Sequence, residues 1–291
     1  MPPMDTRYDD LVDHVEAQYG EGRYAEALTA LDAADLPAHA AELAHLRACL
    51  LGASGDPAAA LATLQSAAAA GAWWRPEILE DDDLEALQAN PDFRHLVATS
   101  AERATDDPTP ARITLPAVPS VGVVVALHGA GQGAEHARRD WAGVLELGYA
   151  LVCVESSRRM SPMYRTWPDP AQAAADIARA LAGLPAELAG LPVVAAGFSA
   201  GGRVALNWAF TAEPSPASGV LALAPALREL PASAANKLSP ATIWIGTDDD
   251  LLEVVDAAAD ALTGFGCEIE RVPGLGHAFP ADLADRLAAK L

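Results

Sequence analysis

Beyond residue 105 the chain falls into short β-branched and apolar runs separated by helix-like segments, and this alternation restricts the possible folds severely. The runs cover 121–127, 150–154, 193–196, 219–223, 242–245 and 268–272, and the helical segments cover 135–147, 171–181, 202–210, 252–262 and 281–291. Such alternation predicts an α/β architecture, a mostly parallel sheet with helices on both faces. In sheets of that kind the functional side chains gather at the carboxyl ends of the strands.

Residues 1–105 carry no strand pattern. They read as Ala- and Leu-rich helices punctuated by Gly, Pro and Asp. The acidic, Pro-containing stretch Thr105-Asp106-Asp107-Pro108-Thr109-Pro110 reads as a linker, so an all-α domain over 1–105 and an α/β domain over 106–291 are expected. Within the first, Gly22-Arg23-Tyr24-Ala25-Glu26-Ala27-Leu28 is echoed 33 residues on by Gly55-Asp56-Pro57-Ala58-Ala59-Ala60-Leu61, and Leu31 falls on Leu64. Trp73 and Trp74 read as caps on these hairpins, with 84–96 as a closing helix.

The formal charge of −21 opposes nucleic-acid binding, which needs basic patches. Glu80-Asp81-Asp82-Asp83 lacks ligand spacing and reads as a solvated helix start. No apolar run approaches the roughly 18 residues of a membrane span, and no basic segment followed by an apolar one opens the chain. Cys49, Cys153 and Cys267 have no metal-ligand spacing and read as buried, reduced thiols. A cytoplasmic protein without metal or cofactor is expected.

The chemistry concentrates at Gly197-Phe198-Ser199-Ala200-Gly201, between the 193–196 run and the 202–210 helix. A G-x-S-x-G sequence at a strand-to-helix junction reads as a nucleophile elbow, a strained turn that lifts a serine hydroxyl clear of the sheet. Three further features follow strand ends. Leu127-His128-Gly129-Ala130-Gly131 is a Gly-rich turn whose N–H groups can face a developing oxyanion, and the N–H of Ala200 can supply a second donor. Asp248, Asp249 and Asp250 close the 242–245 run, and one carboxylate is needed to orient a base. Of the seven histidines only His277 lies downstream of Ser199, in the Gly-flanked loop Gly274-Leu275-Gly276-His277.

The order serine, aspartate, histidine, each after a different strand, resembles the α/β-hydrolase superfamily over 111–291, especially its compact carboxylesterase and dienelactone-hydrolase-like members. The resemblance implies an acyl-enzyme mechanism on Ser199, Asp249 and His277. Family spacing selects Asp249, with Asp248 and Asp250 the alternatives. It also selects Ala130 with Ala200 for the oxyanion hole, His128 ordering the loop. The implied substrate is a small or medium acyl ester or thioester. A serine peptidase or an acyltransferase would use the same triad. In the loop after the 150–154 run, Met163 and Trp167 are candidates for an acyl pocket, or for packing. The helical echo over 8–71 is similar to tetratricopeptide repeats without their full set of large aromatic positions. That likeness implies a peptide or protein partner, or a lid over the hydrolase domain, and in its non-catalytic form a peptide-binding scaffold.

Overall fold

The computed structural model describes residues 6–211, 217–228, 230 and 236–291. The chain divides into two compact units, one running to Asp106 and including Arg159–Arg165, the other comprising Asp107–Arg158 and Thr166–Leu291. A contiguous division between 105 and 106 therefore omits a seven-residue segment that groups with the helices.

The first unit is helical: α1 (Thr6–Gly20), α2 (Tyr24–Ala33), α3 (Ala40–Ala53), α4 (Pro57–Ala69), α5 (Pro76–Leu79) and α6 (Pro91–Arg103). The internal echo is structural. Gly22 and Gly55 both take positive φ, 71° and 86°, where a side chain would be strained. Ala27 with Leu31, and Ala60 with Leu64, are the buried faces of α2 and α4. Asp56 caps α4 by accepting the Ala59 N–H at 3.0 Å, and Pro57 occupies a position where no N–H is needed. Trp74 is fully buried, its indole N–H donating to Ala41 O at 3.0 Å. The expected closing helix over 84–96 is instead a 3₁₀ turn, Asp82–Leu87, followed by α6. Asn90 and Pro91 make the break: Asn90 caps α6 by accepting from Asp92 N–H at 2.8 Å.

Segment Arg159–Arg165 is tied to these helices by its backbone. Met160 O and Arg159 O accept from the Arg75 N–H and Nε–H, each at 2.7 Å. Glu42 accepts from the Ser161 hydroxyl and from Met163 N–H, the latter at 2.8 Å.

The second unit is built on a seven-stranded sheet in the order β1-β3-β2-β4-β5-β6-β7. Its strands are β1 (Arg112–Thr114), β2 (Gly122–Leu127), β3 (Tyr149–Val154), β4 (Val193–Phe198), β5 (Ala217–Leu223), β6 (Ala241–Gly246) and β7 (Glu268–Val272). Every pairing is parallel except β1 with β3. The described residues of β2, β4 and β6 are buried throughout, as continuous apolar strands covered on both faces must be. Around the sheet lie α7 (Ala134–Asp140), α8 (Pro170–Ala182), α9 (Ala200–Thr211), α10 (Leu252–Ala257), α11 (Ala259–Gly264) and α12 (Leu283–Lys290). Helix α8 is amphipathic, burying Ala173, Ile177 and Ala180, and Asp169 caps it through Ala171 N–H at 2.8 Å. Helix α9 is buried on almost every side, which suits a sequence that is apolar apart from Arg203, Asn207 and Thr211.

Three elements depart from expectation. Strand β1 is additional, α10 and α11 replace one helix over 252–262, and α7 stops at Asp140 before a 3₁₀ turn, Ala142–Leu145. The cysteines are free and buried, and burial pushes the Cys267 thiol up to about 11. No described helix is long and apolar enough to cross a membrane.

Candidate active site

Strand β4 is the middle strand of the sheet, and its last residue pairs with Leu223 at the end of β5. Ser199 follows with φ 52°, a left-handed conformation that is costly for a side chain, by about 1–3 kcal/mol. Its backbone is held from both directions. Ser199 N–H donates to Leu223 O at 2.9 Å, while Ser199 O accepts from Ala226 N–H at 3.0 Å and Arg203 N–H at 3.1 Å. The flanking glycines are forced by close approach. A Cβ on Gly197 would sit 2.3 Å from Gly201 O, and one on Gly201 would sit 2.3 Å from Leu127 O. The strand, the turn and the helix thus meet at contact distances that only glycine permits.

Ala200 is the first residue of α9 and is buried. N–H groups in a first helical turn lack intrahelical acceptors and lie at the positive end of the helix dipole. Ala130 lies in the turn after β2, exposed, and its N–H has no partner among the described residues. Gly129 N–H, by contrast, is committed to Gln132 Oε1 at 3.0 Å. Of these two loop amides, Ala130 is the one left available.

His128 is buried and works inside the loop. Ser156 N–H donates to its Nε2 at 3.2 Å, so the proton sits on Nδ1, which donates to Gly129 O at 2.7 Å. The His128 carbonyl accepts from the Trp167 indole N–H at 2.8 Å, and Trp167 O accepts from Arg203 Nη2 at 2.8 Å. Trp167 is 1% exposed and presents no surface to an acyl chain; it braces the turn after β2. Met163 belongs to the helical unit, through its N–H bond to Glu42. The packing role therefore describes Trp167 better than the pocket role does.

The candidate acid and base, Asp249 and His277, follow the last two strands. Asp249 follows β6, and its side chain is completely buried, whereas Asp248 and Asp250 are exposed. Asp249 Oδ1 accepts from Leu251 N–H at 2.8 Å, and Oδ2 faces His277 Nδ1 at 3.0 Å. With a carboxylate opposite, Nδ1 carries the proton, leaving Nε2 as a free acceptor. The two loops are knitted by Asp248 N–H to Leu275 O at 3.0 Å and Gly274 N–H to Thr247 Oγ1 at 2.8 Å. Gly246 admits this crossing, because a Cβ there would lie 1.9 Å from Leu275 O. The His277 ring rests on Phe198, next to Ser199, with centroids 4.8 Å apart, and Phe279 packs on the same ring of Phe198 at 4.8 Å. No hydrogen bond joins Ser199 to His277 here. Catalytic hydrogen bonds commonly tighten only when substrate is bound.

Several contributors carry no sequence signal of their own. Phe198 sits at a variable position of G-x-S-x-G, and Gln132, Ser156 and Arg203 act through backbone contacts that spacing does not reveal. Trp167 is the exception, since a tryptophan in a loop asks for an acceptor for its N–H when buried.

Residues 7–107 match the family described as the A/B hydrolase-like, N-terminal domain. No curated protein matches the chain in sequence. Among solved structures, an uncharacterized protein from Bacillus cereus ATCC 10987 is 22% identical with a TM-score of 0.50, covering 97% of this chain and 96% of that one. Esterase PE8 is 22% identical with a TM-score of 0.51, covering 62% of this chain and 96% of its own. The Pyrobaculum calidifontis esterase is 20% identical with a TM-score of 0.50, covering 62% and 79%. The chain thus shares its fold with these structures, and its residues 7–107 match the hydrolase-like N-terminal domain.

Proposed function

We propose that the protein is a serine hydrolase that cleaves small or medium acyl esters or thioesters through an acyl-enzyme. The observation that carries this reading is the Asp249–His277 hydrogen bond beside a serine held at positive φ. Two of the solved structures with this fold are named esterases.

In the proposed cycle His277 Nε2 takes the proton of Ser199 Oγ as the oxygen attacks the acyl carbon. The carbonyl oxygen becomes an oxyanion, accepting from Ala130 N–H and Ala200 N–H. The tetrahedral intermediate collapses, the bond to the leaving oxygen or sulfur breaks, and His277 gives the proton to the leaving group. Water then enters, His277 deprotonates it, and a second tetrahedral intermediate releases the acid and restores Ser199. Asp249 keeps the proton on Nδ1 throughout and stabilises the imidazolium that forms twice per turnover.

Paired p-nitrophenyl esters and p-nitroanilides of equal acyl length test the reaction class. The ester series is expected to turn over at least about 100-fold faster in kcat/KM, with a preference among two- to eight-carbon acyl groups. Equal rates on esters and anilides would replace this reading with a peptidase one. Transfer to an added amine or alcohol at the expense of hydrolysis would replace it with an acyltransferase one.

A further inference from the structure

The helical unit contains a cavity of about 580 Å³ that the proposed hydrolysis does not use. Six carboxylates line it, among them Glu42, Asp81 and Asp82, and no lysine or arginine does. Acidic walls alone describe many solvated helices. Glu42 is different, being 5% exposed on α3. Its Oε1 accepts from Ser161 and Met163, but its Oε2 is buried with no hydrogen-bond partner. A buried carboxylate oxygen without a donor is costly, the more so among other acids, and a cationic donor relieves both penalties at once.

The walls also indicate what kind of cation fits. Tyr8 and Tyr164 line the same space, and burial pushes both phenols up, with the charge of Glu42 adding to the effect on Tyr8. Both phenols therefore stay neutral; one face of Tyr8 is covered by His39, stacked at 3.9 Å, and the remaining ring surface can pack an alkyl chain and attract an ammonium. The volume suits a small organic molecule rather than a bare ion. A metal is disfavoured although His45, Cys49 and Asp81 bring donor atoms within 4.8 Å of one another. His45 Nε2 is already paired with Ile78 O at 2.7 Å, which places a carbonyl where a metal would sit, and burial holds the Cys49 thiol protonated.

We propose that this cavity binds a primary alkylammonium ligand, with Glu42 Oε2 accepting from its –NH₃⁺ group and Tyr8 and Tyr164 packing its chain. The probe is 1,5-diaminopentane, titrated calorimetrically into the full-length protein, with 1,5-pentanediol as the neutral ligand of equal length. Because the protein carries a net charge of −21, any dication will associate loosely with it, so Glu187→Gln serves as a control at an exposed acid of the other unit. The expected result is saturable one-to-one binding with Kd below about 1 mM, unchanged in Glu187→Gln and weakened at least about tenfold in Glu42→Gln. The diol should not bind. Equal diamine affinity in Glu42→Gln and wild type, or equal binding of the diol, would overturn the proposal. So would zinc binding that is lost in Cys49→Ser with no diamine binding at all. Co-crystals of the wild type with the diamine need no variant: a nitrogen within hydrogen-bond distance of Glu42 Oε2 supports the assignment, and any other outcome opposes it.

Discussion

Ser199→Ala is expected to lower kcat on the best p-nitrophenyl ester by about 10⁴-fold or more, with the fold unchanged. Only the hydroxyl leaves, so the oxyanion donors and binding surfaces stay and account for whatever rate remains. The backbone supplies a second, independent readout. Alanine suffers at φ 52° as serine does, so Ser199→Ala should unfold at nearly the wild-type urea midpoint. Glycine has no Cβ to strain there. Ser199→Gly should therefore be as inactive as alanine yet more stable by about 1 kcal/mol, after glycine's greater unfolded-state entropy is set against the relief. Such a pair of results identifies strain kept at a position where stability alone would favour glycine. Activity surviving in Ser199→Ala would remove Ser199 from the chemistry.

Asp249→Asn is expected to reduce kcat by about 10⁴-fold while leaving KM within a few-fold of wild type. The asparagine fits the same space and its oxygen can still accept from Leu251 N–H. Its amide then turns an N–H₂ toward His277 Nδ1, at the 3.0 Å separation where a carboxylate oxygen now lies. Nδ1 must become the acceptor, the proton moves to Nε2, and the base can no longer take a proton from Ser199. Asp248→Asn and Asp250→Asn, at exposed positions, should stay within a few-fold of wild type. Steady-state kinetics on all three variants checks this. A loss as large at Asp248 or Asp250 would move the acid to that residue.

The three aspartates also show how far the sequence reaches. Adjacent and chemically identical, they differ only in depth, and depth is set by how the β6 turn crosses the loop after β7. That crossing depends on Gly246 approaching Leu275 O, a contact between residues 29 apart in the chain (275 minus 246). The elbow needed no such help: its glycines, its serine and its place between an apolar strand and an apolar helix are all local. The parallel strands were legible for the same reason, as continuous buried runs. Strand β1 was not, because Arg112-Ile113-Thr114 is a half-buried edge whose pairing with β3 is made by the backbone.

The loop after β3 was the least legible segment. Its aromatic and methionine residues suggested one apolar surface, yet the chain divides them. Trp167 turns inward because the His128 carbonyl offers its indole an acceptor, and Met163 goes with the helices because Glu42 bonds its N–H. The helical echo was visible in Gly22 and Gly55 and in the Ala–Leu pairs of α2 and α4. Such an echo does not by itself name a family, since short stacked hairpins share small buried residues whatever their ancestry.

Fluorophosphonate labelling followed by peptide mass spectrometry tests the central claim most directly, because the reagent reacts with a serine only when a base and an oxyanion hole activate it. The account predicts one adduct per chain, on the peptide carrying Ser199, absent in Ser199→Ala and strongly slowed in His277→Ala. A fully folded wild-type protein that takes no label, or takes it at another serine, would contradict it.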